Sequence, residues 1–185
     1  MKNILLNVIY RQEQTKKNIL EIINKCHSQN YNVDITIWDY SLEKDAFDLA
    51  EAKSSVNYMQ LDYEDLAAYD KKIVQLTDIE KYIAVIDLDS LVIPEDGFID
   101  KLNIDILEDH NYGAVYSDFY SKLKAGEKVY IYQKSIPLVS NAIPLVAFSV
   151  ENYIKNVNEE NVKSAMLSSL ISKHIPEALC CVLND

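Results

Sequence analysis

The sequence predicts an α/β fold: one domain with a mostly parallel central sheet flanked by helices. Three observations carry that expectation. Short apolar runs alternate with segments of helical period from residue 3 to about residue 108. One run, YIAVID at 82–87, is apolar on both faces, as a central strand covered by helices on each side requires. With 3 Gly and 4 Pro in 185 residues, no flexible linker divides the chain.

Taken in order, residues 3–10 (NILLNVIY) read as a buried strand. Residues 12–29 place Ile19, Ile22, Ile23 and Cys26 at i, i+3, i+4, i+7, one face of a helix. Residues 33–39 (VDITIWD) alternate Val33, Ile35 and Ile37 inward and end on an acid. A short helix over 42–53 leads to a third strand at 56–61, and a helix over 64–77 leads to the YIAVID strand. Pro94 marks the start of a helix over 98–108, before a strand at 113–117. The second half is less regular. Strands are expected at 128–133, 145–149 and 178–183, with an amphipathic helix over 161–173 that would leave His174 at its surface end.

Composition narrows the function. At 49% hydrophobic and 25% charged residues the chain is globular rather than disordered. A net charge of -11, with no basic run longer than the pairs Lys16-Lys17 and Lys71-Lys72, argues against a nucleic-acid partner, since phosphate contacts need clustered cations. No apolar stretch approaches the ~20 residues of a membrane span, and nothing resembles a signal peptide. Cys26, Cys180 and Cys181 make no disulfide framework, so reduced thiols in a cytoplasmic protein are expected. Arg11 is the one arginine among 18 basic residues, the pattern of an AT-rich coding sequence such as that of a low-GC bacterium or its phage.

In a doubly wound sheet, ligands bind at the carboxyl ends of the strands. Two strands end there in acids: Asp39, and Asp87 with Asp89 two residues on. An acid-x-acid pair leaving a buried strand puts two carboxylates at the sheet edge. Charges so placed need a partner. A hard divalent cation bridging to ligand phosphates is one, because Mg2+ takes one or two carboxylates plus phosphate oxygens. No glycine-rich phosphate loop follows the first strand, where the sequence is Tyr10-Arg11-Gln12-Glu13. A sugar-phosphate nucleotidyltransferase is thereby set aside.

On these residues the sequence resembles the inverting family 2 glycosyltransferases, which have the GT-A fold. The matching elements are Val8-Ile9-Tyr10-Arg11 after the first strand, Trp38-Asp39-Tyr40-Ser41 after the second, and Asp87-Leu88-Asp89 followed by Val92-Ile93-Pro94 after the central one. Val115-Tyr116-Ser117-Asp118 and Asn141-Ala142-Ile143-Pro144 follow in the family's order. The chain departs from the family in carrying Arg11 where the family has Asn and Tyr40 where it has Gly.

The resemblance implies a GT-A-like domain over 1–185, with a nucleotide-sugar-binding half at 1–94 and an acceptor-side half at 95–185. Tyr10, Asp39, Asp87 and Asp89 would bind the donor, a UDP-linked sugar being expected. Asp89 and Asp87 would hold Mg2+ or Mn2+. Asp118 and Asn141 would lie on the side of an unidentified acceptor. Glu160, then Glu159, would be the catalytic base for transfer with inversion. A catalytically inactive GT-A-like binding or assembly module is the alternative. Tyr116, Tyr120, Tyr130 and Tyr132, among 13 tyrosines, crowd the second half, where strand propensity and packing account for most of them.

Overall fold

The computed structural model describes residues 1–10, 16–42, 46–48, 55–62, 64–65, 68, 72, 82–87, 91–108, 112–123, 126–132, 145–149 and 172–183; of residues 16, 17, 82–87 and 91 it describes the backbone. The expected helices over 42–53, 64–77 and 161–173 fall largely outside these residues. Among them run nine strands: β1 (Lys2–Tyr10), β2 (Tyr31–Asp39), β3 (Val56–Gln60), β4 (Tyr82–Asp87), β5 (Leu91–Pro94), β6 (Ala114–Lys122), β7 (Lys128–Ile131), β8 (Leu145–Ser149) and β9 (Ser172–Leu183). The helices are α1 (Lys16–Lys25), the single turn α2 (Phe98–Lys101) and a 3-10 turn at Ile104–Glu108.

The strands form one mixed sheet in the order β3-β2-β1-β4-β8-β6-β9-β5, with β7 on β6. The expected parallel arrangement holds for β1 with β2, β1 with β4 and β2 with β3. The second half adds antiparallel pairs: β4 with β8, β6 with β8, β6 with β7 and β5 with β9. Only β6 and β9 run parallel there.

The core sits between this sheet and α1. Ile19, Ile22, Ile23 and Cys26 are buried, the face that the helical spacing selects, and they join Ile4, Leu6, Val8 and Tyr10 of β1 with Ile35 and Ile37 of β2. The other face of the same strands is also buried and holds Asn7, Ile9, Thr36 and Trp38. A polar group there must be satisfied. The Trp38 indole N–H donates to Asn7 Oδ1 at 2.7 Å, which gives both side chains a partner inside the core.

Three expectations are corrected. The helix over 98–108 is broken after one turn, because Asn103 takes a left-handed backbone (φ 51) and restarts the chain as a 3-10 turn. Pro94 does not open that helix. It ends the edge strand β5, where a residue without an N–H is tolerated. Gly97 (φ 70) then makes the turn into α2. Asp100, an acid on a helix that sequence alone would leave in solvent, instead ties α2 to the turn after α1. It accepts hydrogen bonds from Ser28 Oγ (2.6 Å), Asn30 Nδ2 (3.0 Å) and the Gln29 backbone N–H (3.2 Å).

The burial pattern of α1 sets a contrast that equilibrium urea unfolding can read. Ile22→Ala opens a cavity under the sheet and should cost about 2–5 kcal/mol. Leu20→Ala, two positions away on the exposed face, should stay within about 0.5 kcal/mol of wild type.

Candidate functional site at the carboxyl edge of the sheet

Parallel pairing brings the ends of the first four strands to one edge. Tyr10, Asp39 and Gln60 form a single row across β1, β2 and β3, and Asp87 pairs with Ile9 one residue below it. Neighbouring strands lie about 4.8 Å apart, so the row spans about 10 Å.

Asp39 is fully buried at this edge. Its carboxylate turns the chain after β2: Oδ1 accepts the Ser41 backbone N–H (2.7 Å), and Oδ2 accepts the Ala46 backbone N–H (3.2 Å) and the Tyr58 hydroxyl (2.9 Å). Gln60 Nε2 closes the loop by donating to the Ser41 carbonyl (2.7 Å). Hydrogen bonds to a charged acceptor are the stronger ones, and here they offset its removal from water. Asp39 thus builds the floor and wall of the edge, with its oxygens directed to protein donors. Tyr10 is buried beside it.

The second half adds a cluster on the same edge. Val85, Val146 and Tyr116 make one row across β4, β8 and β6. Asp87 and Asp118 each stand two residues past that row on strands running the same way. Two strand spacings separate them, about 10 Å between backbones. Asp118 is fully buried. His174 Nε2 lies 2.7 Å from its Oδ1, and the Tyr130 hydroxyl donates to its Oδ2. The Tyr116 ring lies 5.2 Å from the imidazole, tilted by 33°, and the Tyr132 ring meets it edge-on at 5.1 Å.

Strand alternation explains the convergence. Tyr116, Asp118 and Tyr120 share one face of β6, Tyr130 pairs with Tyr120, and His174 pairs with Tyr116. The β6–β9 register shifts on both sides of Asp118. Pro176, which can donate no ladder hydrogen bond, lies in the skipped stretch of β9. Such irregularities re-aim side chains at sheet edges and sites.

His174 is therefore not at a helix end. It lies on β9, which begins at Ser172 and already includes Lys173. Sequence reading missed it because the helical period over 161–173 runs past the true start of the strand. The crowding of Tyr116 and Tyr120 on β6 with Tyr130 on β7 and Tyr132 just past it is the sequence signal that could have pointed to this face. Of the other candidate residues, Asp89, Asn141, Glu159, Glu160 and the side chain of Asp87 lie outside what the structure describes. Among the described residues there is no group of three or more His, Cys, Asp or Glu that could hold a metal ion. No helix among them is long and apolar enough to cross a membrane.

The cluster makes a spectroscopic prediction. The hydrogen bond to Asp118 pushes the Tyr130 hydroxyl up to about 12. In an ultraviolet tyrosinate titration, Tyr130 should ionise above the ordinary value near 10, alongside the buried Tyr31 and Tyr116, and Tyr130→Phe should shrink the late component by one tyrosine. The bond favours the protonated hydroxyl, so its contribution to stability is full below about pH 10 and is lost as pH rises through about 12. A late component of undiminished amplitude in Tyr130→Phe would refute the assignment.

No protein-family model matches the sequence. No curated protein matches it either. Solved structures do match the fold. S. aureus TarS 1-349 superposes with a TM-score of 0.63 at 10% identity over 99% of this chain and 60% of that one. Its complex with UDP-GlcNAc gives 0.64 at 9% identity over 100% of this chain and 59% of that one. The chain thus spans about 60% of the length of the TarS 1-349 structures and 37% of the longer TarS structure, which it matches with a TM-score of 0.66. The chain has a mixed α/β fold similar to that of a glycosyltransferase domain.

Proposed function

We propose that this chain is a glycosyltransferase domain that takes a sugar from a nucleoside-diphosphate donor, UDP-linked, and passes it with inversion to a hydroxyl of an acceptor. The observation that carries the reading is the alignment of Tyr10, Asp39 and Asp87 at the carboxyl edge of parallel strands, in a fold whose neighbours include TarS bound to UDP-GlcNAc and to UDP. The Asp39 network shapes the wall against which the nucleoside would lie.

Asp39 and Asp118 spend their oxygens on protein donors. A divalent cation, Mg2+ or Mn2+, would thus fall to Asp89 with Asp87. When bound, it supplies Lewis-acid neutralisation of the departing diphosphate. Tyr10 flanks the donor between the two acids. Glu160, with Glu159 as second candidate, takes the acceptor proton as general base.

Thermal unfolding with nucleoside diphosphates, with and without Mn2+, tests the reading. At a hundred times its dissociation constant, UDP should add about 2.7 kcal/mol of stability. Asp89→Ala should abolish the metal-dependent part. No shift with any nucleoside diphosphate would overturn the proposal. UDP binding without sugar transfer would favour a catalytically inactive binding module instead.

A further inference from the structure

We infer that His174, with Tyr116 and Tyr132, forms a subsite for a neutral sugar ring on the acceptor side of this edge. The inference deepens the proposed transfer reaction and rests on it for the word acceptor. Its physical basis is the described cluster alone.

Asp118 sets the chemistry. An ionised carboxylate only accepts, so with Asp118 ionised Nε2 of His174 carries the proton that bridges to Oδ1. In the neutral imidazole that leaves Nδ1 as an acceptor, and among the described residues it has no hydrogen-bond partner. Asp118 is wholly buried whereas 20% of the His174 side chain is exposed, so the dyad is anchored at one end and open at the other. A buried carboxylate that orients an imidazole keeps its outer nitrogen aimed in one direction.

The rings supply the second element. Tyr132 is 57% exposed, although it meets the imidazole. An exposed aromatic ring beside an open hydrogen-bond acceptor matches the two surfaces of a pyranose, an apolar C–H face and a rim of hydroxyl donors. Tyr116, pushed up by burial and then by Tyr132 and Asp118, keeps its proton at neutral pH and remains uncharged.

Charge selects the class of ligand. Among the described residues, the groups facing the imidazole are Asp118 and Tyr116 from β6 and Tyr132, just past the end of β7. Two described cations are engaged elsewhere: the Lys173 ammonium lies over Tyr112, and that of Lys128 over Tyr120 and beside Glu95. Among the described residues one carboxylate and no cation face the imidazole, which disfavours a phosphorylated ligand and suits an uncharged polyhydroxylated one.

The test titrates the protein with methyl β-glucopyranoside, methyl N-acetyl-β-glucosaminide and glucose 6-phosphate, reading the imidazole NMR signals that His174→Gln removes. We expect saturable shifts with at least one neutral glycoside and weaker binding of glucose 6-phosphate. Tyr132→Ala, read by the same signals, and His174→Gln, read by calorimetry against wild type, should each weaken the glycoside about tenfold, the scale of one lost polar or stacking contact. Leu123→Ala, an exposed apolar position outside the cluster, should leave it unchanged. Three results would overturn the inference: no perturbation of His174 by either glycoside, equal affinity in wild type and both cluster variants, or tighter binding of the phosphate. UDP binding to wild type is measured in parallel. Glycoside binding without UDP binding sinks the donor reading and spares the subsite, and the reverse pattern does the opposite.

Discussion

Parallel pairing of β1 with both β2 and β4 forces three chain reversals to cross over the sheet, and it points the ends of all these strands the same way. β1 and β2 bury both faces at their carboxyl ends, as strands inside a parallel sheet do. The ladder ends at one edge, where backbone groups run out of partners. Side chains must satisfy what the strands no longer can. Asp39 does so for Ser41 and Ala46, and its burial makes sense only as part of that closure.

The second half solves a different problem with the same means. β8 runs antiparallel between β4 and β6, which carries the carboxyl edge across to Asp118. A buried carboxylate alone is costly by several kcal/mol, so its partners are part of the fold. Asp39 is matched mainly by backbone N–H groups, and Asp118 by side chains from two other strands. The first arrangement is local and rigid. The second depends on β7 and β9 arriving in register, and its outer member remains exposed to solvent. One acid is spent on architecture, and the other orients a group that can meet a ligand.

Much of the first half was legible in the residues. The face of α1 that packs, the acid at the end of β2 and the parallel pairing of the first strands follow from spacing and polarity. The breaks were less legible. Asn103 adopts a left-handed backbone that helical propensity over 98–108 conceals, and β5 is too short and too close to Pro94 to register as a strand. β9 shows the same limit from the other side: its start at Ser172 overlaps a stretch with helical period, and pairing with β6 over its full length outweighs that local preference.

The sequence by itself determined that acids end the second and fourth strands and that tyrosines crowd the second half. Those are consequences of period and composition, which act over a few neighbouring residues. Only the tertiary structure decided that Asp39 faces protein donors and that His174, 56 residues from Asp118 in the chain, becomes its partner. Strand order and a register shift place that pair, and both depend on long-range pairing that no local pattern encodes.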